Sequence, residues 1–168
     1  KIKTALILCA GFGKRVQPIT DTIPKPLIIY KNETLLENTI KFLIKLKIEK
    51  IKINVFYLKE KIKRFIESKK FPINIEIVDD GETILGTGGG ILNLINKSNE
   101  KDVLVINPDT IWHDNFISSV EAMEKIYFEK KIKNILLIVN NKSCFDKRFN
   151  GDFEIKNHIL FKEKLNNF

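Results

Sequence analysis

Short apolar runs alternate along this chain with segments in which apolar residues recur every three or four positions. The runs have the length and the branched side chains of buried strands, whereas the wider spacing is typical of helices that bury one face. The helices are predicted to begin after Thr34, after Lys59 and at Asp114 or Asn115. This alternation predicts an α/β fold with a doubly wound, mostly parallel sheet. Its strands are expected at Thr4–Leu8, Lys50–Val55, Asn74–Val78, Asp102–Ile106 and Asn134–Val139.

The last part of the chain has a different pattern. Residues 151–155 and 159–163 are short segments of strand character, and the polar residues Lys156–His158 separate them. Two short strands joined by a few polar residues predict a β-hairpin. We therefore expect the sheet to be followed by a C-terminal hairpin.

The composition is that of a globular domain with one substantial core. Of 168 residues, 43% are hydrophobic and 30% are charged, which predicts a single domain over residues 1–168. No apolar run approaches the roughly 18 residues of a membrane span, and no secretory leader pattern opens the sequence. Cys9 and Cys144 are too few and too distant in sequence for a disulfide framework or a zinc site. We expect a cytoplasmic protein that binds no membrane.

The chain is basic, with a formal net charge of +8, and this charge raises the question of nucleic-acid binding. However, 26 of its 29 basic residues are lysines, and they are scattered along the sequence rather than clustered with aromatic residues. Nucleic-acid-binding surfaces more often combine clustered Arg and Lys with rings that stack on bases. We therefore expect no nucleic-acid partner.

A glycine turn with three basic residues nearby follows the first predicted strand. Gly11 and Gly13 allow a tight turn whose successive backbone amides can form a cradle for an anion. Lys14, Arg15 and Lys25 could complete the cradle, because the arginine offers a planar pair of donors and each lysine offers a mobile charge. The segment therefore suits a ligand rich in phosphate.

Two common phosphate loops do not match this segment. The pattern G-x-x-x-x-G-K-[ST] would need glycine at Leu8 and a hydroxyl residue at Arg15, and G-x-G-x-x-G would need glycine at Val16. Spacing alone therefore leaves open a plain glycine turn with solvated charges.

The whole pattern resembles the signature of sugar-1-phosphate nucleotidylyltransferases, L-x-A-G-x-G-x-R-x-x-P-x-T followed by P-K-P. The resemblance implies a Rossmann-like nucleotidyltransferase sheet and an enzyme that binds a nucleoside triphosphate. No position departs from the signature, and the matching residues are Leu8, Ala10, Gly11, Gly13, Arg15, Pro18, Thr20, Pro24, Lys25 and Pro26.

The resemblance also implies roles for single residues. Arg15 would neutralise the departing pyrophosphate and Lys25 would lie near the phosphates being joined, so these two are the predicted catalytic residues. The glycine loop would wrap the triphosphate, and its predicted nucleotide-binding residues are Leu8, Ala10, Gly11, Gly13 and Lys14.

A second glycine-rich segment, residues 80–90, resembles the base-recognition loop of the same family, in which L-G-T-x-G leads into a helix. An apolar helical pattern follows at residues 91–95, and the N-terminus of such a helix favours an anion or a polar base edge. The alternative is a mobile glycine loop. The predicted nucleotide-binding residues of this segment are Gly86, Thr87, Gly88 and Gly89.

The predicted strand at Asp102–Ile106 is followed by a carboxylate, Asp109. Ligands of open α/β sheets collect at the carboxyl ends of strands, where a metal would be useful. The resemblance implies that Asp109 binds Mg²⁺ between the reacting phosphates, although Pro108 stands where family members usually have glycine. The alternative is an aspartate at a helix N-cap or in a turn.

The resemblance implies the transfer of a nucleotide from a nucleoside triphosphate to a sugar 1-phosphate, with Mg²⁺ as cofactor. Asn107–Trp112 and Gly151–Phe153 are similar to a bacterial subgroup that transfers uridylate to N-acetylmuramate 1-phosphate in peptidoglycan recycling. Mannose-1-phosphate guanylyltransferases share nearly the same motifs and are the alternative. A cytidylyltransferase for a sugar acid or a polyol phosphate is a further one.

Family members generally continue beyond such a hairpin into strands that shape the sugar pocket and supply a second metal-binding aspartate. No aspartate follows Asp152, so either the resemblance extends over the first part of the family domain and leaves out its acceptor side, or other residues complete the metal site. A nucleotide-binding module without catalysis is therefore another alternative. The sequence leaves the oligomeric state open.

Overall fold

The structure of the protein is a computed structural model, and it describes residues 1–143, 153–157 and 159–162. The chain divides into two compact units, Lys1–Ile132 and Lys133–Phe168. The strands of the first unit are β1 (Thr4–Leu8), β2 (Ile29–Tyr30), β3 (Glu33–Thr34), β4 (Lys50–Val55), β5 (Asn74–Asp79) and β6 (Val103–Ile106). Its α-helices are α1 (Leu35–Lys45), α2 (Lys59–Lys69), α3 (Gly86–Asn96) and α4 (Asn115–Glu129).

A four-stranded parallel sheet forms the centre of the first unit. Its strand order is β5-β4-β1-β6, and Ile7 of β1 lies opposite Ile53 of β4 and Ile106 of β6. The chain thus adds strands first to one side of β1 and later to the other, which is the topology of a doubly wound sheet. The predicted fold class is confirmed, and the predicted strands β1, β4, β5 and β6 are present within one residue at each end.

Apolar side chains on both faces of the sheet form the core. Ile7 and Ile53 belong to one buried cluster with Leu43 of α1. A smaller cluster joins Leu6 to Leu94 of α3. Because the sheet is covered on both faces, β1 is apolar from Ala5 to Leu8 instead of alternating with polar residues.

A local signal sets the start of α1. Thr34 precedes α1, and its Oγ1 accepts a hydrogen bond from the backbone N–H of Glu37 at 3.1 Å, as an N-cap does. The predicted starts after Thr34 and at Asn115 are confirmed, whereas α2 begins at Lys59, one residue earlier than predicted. Within the described ranges, every helix is too short or too polar to cross a membrane.

Three single-turn 3₁₀ helices and a hairpin shape the connection between β1 and α1. The turns span Lys14–Val16, Ile19–Asp21 and Lys25–Leu27. Strands β2 and β3 pair antiparallel. Lys31 and Asn32 between them have φ angles of 48° and 72°, as the positive-φ turns that favour hairpins require.

The glycine-rich segment is more helical than the sequence predicts. Helix α3 begins at Gly86, so Gly88, Gly89 and Gly90 lie inside its first turns. Glycine has a low helix propensity, but a Cβ at Gly90 would lie 2.6 Å from Asn54 Nδ2. Close packing against β4 therefore outweighs the local preference.

The predicted strand at Asn134–Val139 is wrong. These residues of the second unit form no strand, and Leu136 and Val139 are 56% and 61% exposed. Apolar, branched residues favour strands because they pack on the surface of a sheet. No sheet among the described residues of this unit includes the segment. The segment therefore lacks a pairing partner and does not adopt the strand that its residues favour.

The second unit contains an antiparallel hairpin of β7 (Phe153–Lys156) and β8 (Ile159–Lys162). Lys156 lies opposite Ile159, so the turn is one residue shorter than the sequence predicts. The C-terminal hairpin itself is confirmed. Residues 151, 152, 158 and 163, which the prediction also included, lie outside the described residues.

Candidate functional site

A cavity of about 440 Å³ opens at the carboxyl ends of β1 and β6. At these neighbouring strands the order of the sheet reverses, because β4 lies on one side of β1 and β6 on the other. Ligands of doubly wound sheets bind at such a switch point. The cavity is lined by residues within the segments 8–16, 25–26, 84–87 and 107–109, and by Asn54 of β4.

Most of the predicted site residues lie at this cavity. Gly88 and Gly89 are the two that do not line it, although they belong to the same first turn of α3 as Gly86 and Thr87, which do. Segments far apart in sequence thus meet at one place, while the roles of their residues stay predictions. The predicted residues that line the cavity are Leu8, Ala10, Gly11, Gly13, Lys14, Arg15, Lys25, Gly86, Thr87 and Asp109.

Gly13 fixes the turn that follows β1. Its φ is +68°, and a Cβ there would lie 2.8 Å from Thr20 Cγ2 and 3.3 Å from Lys25 Cβ. Its carbonyl oxygen accepts hydrogen bonds from the Val16 N–H at 2.8 Å and from Thr20 Oγ1 at 3.0 Å. A left-handed residue in contact with two side chains leaves room only for glycine.

We expect Gly13→Ala to destabilise the protein by about 1–3 kcal/mol, because a side chain in this conformation is strained and the new methyl group overlaps Thr20. Urea unfolding followed by circular dichroism measures the loss. Gly11→Ala is the matched control, since nothing lies within 4 Å of a Cβ at that position. Equal stability of the two variants would contradict the assigned geometry.

Aromatic side chains support the same loop. The Phe12 ring lies 5.9 Å from the Phe56 ring and 5.2 Å from the Tyr57 ring. The Tyr57 hydroxyl donates a hydrogen bond to the Thr20 carbonyl oxygen at 3.0 Å. Lys14 Nζ lies 5.5 Å from the centre of the Phe12 ring, within the range of a cation–π contact. The residues after β4 therefore hold the glycine loop in place.

Lys25 and Asp109 meet at the cavity although they lie 84 positions apart in sequence. Lys25 Nζ is 2.5 Å from Asp109 Oδ2, and the two side chains are 30% and 39% exposed. The pair is thus an ion pair in contact with solvent. Asp109 lies in a turn well before α4 begins at Asn115, so the helix N-cap alternative is wrong and the position in a turn is the one observed.

The residues around Asp109 fit a magnesium ion that is bound together with phosphates. Asp109 is the one carboxylate among the described residues that line the cavity. The structure shows no group of three or more metal-ligating side chains in the described ranges. Protein sites for Mg²⁺ often use one or two carboxylates, with the remaining ligands from phosphates and water. Asp109 could therefore hold Mg²⁺ only together with a bound ligand that supplies phosphate oxygens.

Cys9 lines the cavity beside these groups. Burial raises the pKa of its thiol well above the ordinary value, and the negative charge of Asp109 raises that pKa further. The thiol therefore stays protonated at neutral pH. Nucleophilic catalysis needs the thiolate, so Cys9 is a packing residue here.

A hydrogen-bonded pair anchors the loop that carries Asp109. Asn38 of α1 accepts a hydrogen bond from the Trp112 N–H at 2.8 Å and donates one to the Trp112 carbonyl oxygen at 3.2 Å. The Trp112 indole N–H donates to the Asn107 carbonyl oxygen at 3.4 Å. The indole also stacks on Phe42 at a centroid distance of 5.0 Å. Helix α1 therefore fixes the position of residues 107–112.

Sequence reasoning missed two polar residues of the cavity, Asn54 and Asn107. A signal for Asn54 was available, because an amide in the mostly apolar stretch 51–55 is unusual for a buried strand. Asn107 had a weaker signal, namely its place between a predicted strand and Asp109.

Comparisons with known proteins found similar sequences and structures. A family model for nucleotidyl transferases matches residues 4–146. The chain is 27% identical over 153 residues to an N-acetylmuramate alpha-1-phosphate uridylyltransferase of Caulobacter vibrioides, covering 89% of this chain and 63% of that protein. It is 30% identical over 110 residues to a mannose-1-phosphate guanylyltransferase catalytic subunit beta of Danio rerio, covering 64% of this chain and 31% of that protein.

Solved structures show the same fold. A UDP-glucose pyrophosphorylase of Acinetobacter baumanii matches with a TM-score of 0.67 and 22% identity, over 78% of this chain and 54% of that chain. The chain thus spans less than two thirds of the length of each of these three proteins.

Proposed function

Because this chain belongs to the nucleotidyl transferase family, we propose that it forms the nucleotide-binding part of a sugar-1-phosphate nucleotidylyltransferase. Such an enzyme joins a nucleoside triphosphate to a sugar 1-phosphate and releases pyrophosphate. One observation carries the proposal: the basic glycine loop after β1 and the carboxylate after β6 meet at one cavity, through the contact between Lys25 and Asp109.

The proposed reaction is an in-line displacement at phosphorus. An oxygen of the sugar 1-phosphate attacks the α-phosphorus of the triphosphate and forms a new phosphorus–oxygen bond. The bond from the α-phosphorus to the bridging oxygen breaks, and pyrophosphate leaves with its electron pair. Such transfers need little covalent help from the protein, because holding two anions together and neutralising the leaving group provide most of the rate.

The basic residues of the cavity suit these tasks. The Arg15 guanidinium would bind the β- and γ-phosphates with paired donors and stabilise the pyrophosphate as it leaves. Lys25 would bind the α-phosphate and the incoming phosphate as a mobile charge. The backbone amides of the turn at Gly11 and Gly13 would bind further phosphate oxygens.

Asp109 is the residue that would hold Mg²⁺ at this cavity. A bound Mg²⁺ neutralises phosphate charge and aligns the reacting groups. Lys25 Nζ contacts the same carboxylate, so the residue that would hold the metal also positions the ammonium group that would bind the phosphates. The pair therefore keeps the lysine close to its proposed site of action.

For the substrates, we favour UTP and N-acetylmuramate 1-phosphate, which would place the protein in peptidoglycan recycling. The matched uridylyltransferase of Caulobacter vibrioides supports this choice, since it covers 89% of the chain. GTP and mannose 1-phosphate are the second candidate, supported by the Danio rerio relative. Both reactions use nucleoside triphosphates, so we propose a cytoplasmic site of action.

Pyrophosphate release tests the proposal. The protein is incubated with Mg²⁺, each of the four ribonucleoside triphosphates or dTTP, and a panel of sugar 1-phosphates that includes N-acetylmuramate and mannose. We expect release that needs both UTP and N-acetylmuramate 1-phosphate. Release with GTP and mannose 1-phosphate instead would replace the first substrate pair by the second.

Calorimetry with the same triphosphates distinguishes catalysis from binding alone. Triphosphate binding without pyrophosphate release across the panel would support a nucleotide-binding module in place of an enzyme. The absence of binding of every triphosphate would overturn the proposed function altogether.

A further inference from the structure

Asn54 and Asp80 form a buried pair that lies between the two halves of the proposed nucleotide site. We propose that this pair is a positioning device, which holds the phosphate-binding loop and the base-binding segment at a fixed separation. The proposal rests on the proposed function and adds two residues to it. Asn54 lies outside the motifs described above, Asp80 begins the segment 80–90 but is not among its predicted binding residues, and neither is placed in contact with the reacting atoms.

The amide of Asn54 is engaged at both ends. Its Oδ1 accepts a hydrogen bond from the Cys9 N–H at 2.9 Å, and its Nδ2 donates one to Asp80 Oδ2 at 2.7 Å. Asn54 is 2% exposed and Asp80 is 8% exposed. Because a buried amide without partners is costly, this geometry fixes the orientation of the side chain.

Asp80 extends the chain of hydrogen bonds to α3. Its Oδ1 accepts a hydrogen bond from Asn93 Nδ2 at 2.8 Å, and its backbone N–H donates to the Val55 carbonyl oxygen at 3.0 Å. One carboxylate therefore binds two amide groups, one from β4 and one from α3. Asp80 is thereby fixed in position from both sides.

The ends of this chain of hydrogen bonds lie at the two halves of the site. Cys9 directly precedes Ala10 and the glycine loop, which would bind the triphosphate. Asp80 is the first residue of the segment 80–90, which includes Gly86 and Thr87, the residues that would contact the base. Both halves line the same cavity, so their separation must match the length of one nucleotide.

Gly90 shows how closely α3 approaches this pair. A Cβ at Gly90 would lie 2.6 Å from Asn54 Nδ2 and 3.7 Å from Asp80 Oδ2. The helix can therefore pack over the amide only because this position lacks a side chain. The close approach leaves Asn54 no alternative orientation. The role of Gly90 is therefore to let α3 pack directly over this side chain.

An exchange of the two side chains tests the proposal. Asn54→Asp brings two carboxylates together without a donor between them, and Asp80→Asn removes one of the two acceptor oxygens. In the Asn54→Asp/Asp80→Asn variant, the new carboxylate at position 54 accepts hydrogen bonds from the Cys9 N–H and from the new amide at position 80. The oxygen of that amide accepts the hydrogen bond from Asn93 Nδ2. All three hydrogen bonds are thus restored with their direction at Cys9 and Asn93 unchanged.

We expect the affinity for UTP or GTP with Mg²⁺, measured by calorimetry, to fall about ten- to a hundredfold in the single variants. The exchange variant should recover most of that loss. In the pyrophosphate assay the single variants should raise KM for the triphosphate with little change in kcat, because Arg15, Lys25 and Asp109 are untouched. A purely structural role would lower the unfolding temperature and leave KM of the folded protein as it was.

Asn93→Ala supplies a second variant in case a buried substitution prevents folding. Asn93 is only half-buried, and its loss releases α3 from Asp80, so we expect the same rise in KM at a smaller magnitude. Asn96→Ala is the matched control, because Asn96 is exposed on the same helix. Wild-type affinity and KM in folded Asn54→Asp and Asn93→Ala proteins would overturn the positioning role. Failure of the wild-type protein to bind any triphosphate would instead overturn the proposed function.

Discussion

Replacing Lys25 or Arg15 with alanine is expected to slow pyrophosphate release by about a hundredfold to a thousandfold, as the loss of one preorganised charge donor does in comparable sites. Both side chains line the cavity and stay partly exposed, so their loss leaves the core intact. Steady-state rates, together with circular dichroism spectra that match those of the wild-type protein, measure the effect.

Conservative variants sharpen this experiment. Arg15→Lys keeps the charge and loses the paired donors, so we expect a rate between those of the wild-type protein and Arg15→Ala. Lys101→Ala is the control for the loss of a lysine, since Lys101 is exposed and does not line the cavity. Near-normal turnover of Lys25→Ala would remove Lys25 from the reaction.

Asp109→Asn is expected to lower turnover by at least about a thousandfold at the Mg²⁺ concentration that saturates the wild-type protein. An amide oxygen carries no charge to offset that of the metal, and Asp109 is the one carboxylate among the described lining residues. The concentration of Mg²⁺ needed for half-maximal rate should rise in parallel. The measurement is the rate of pyrophosphate release as a function of Mg²⁺ concentration.

Asp114→Asn is the matched control for this loss of charge. Asp114 lies five positions further along the chain, pairs with Lys45 at 2.6 Å and does not line the cavity. We expect its Mg²⁺ dependence to equal that of the wild-type protein. If Asp109→Asn also retained the wild-type Mg²⁺ dependence, the metal would have to bind elsewhere.

The strands of the central sheet could be predicted from the sequence because each shows a strand pattern, either alternating or continuous. β4 and β5 alternate apolar with polar residues, whereas the segment 4–8 is a nearly continuous apolar run at the centre of the sheet. The same kind of run at 134–139 gave a wrong prediction, because a strand also needs a neighbour with which to pair. Side-chain character is local, whereas hydrogen-bond pairing is a property of the whole fold.

The site residues that belong to sequence motifs could be predicted, whereas those that reach the site through packing could not. The signature selected Lys25, and the position after a strand selected Asp109, before any contact between them was known. The contact of the Phe12 ring with Phe56 and the hydrogen bond between Asn54 and Asp80 join residues that lie far apart in the sequence. They depend on how the ends of β1, β4 and β5 lie next to one another in the sheet. Contacts of that kind are not encoded by spacing within one segment.

The stacking of Trp112 on Phe42 has a practical consequence. Trp112 is the only tryptophan of the chain, and its indole N–H donates to the Asn107 carbonyl oxygen, two residues before Asp109. Its fluorescence therefore comes from one known place beside the loop that carries the carboxylate. The protein thus contains an intrinsic optical probe, and titrations of metal and nucleotide can be followed by its emission without an added label.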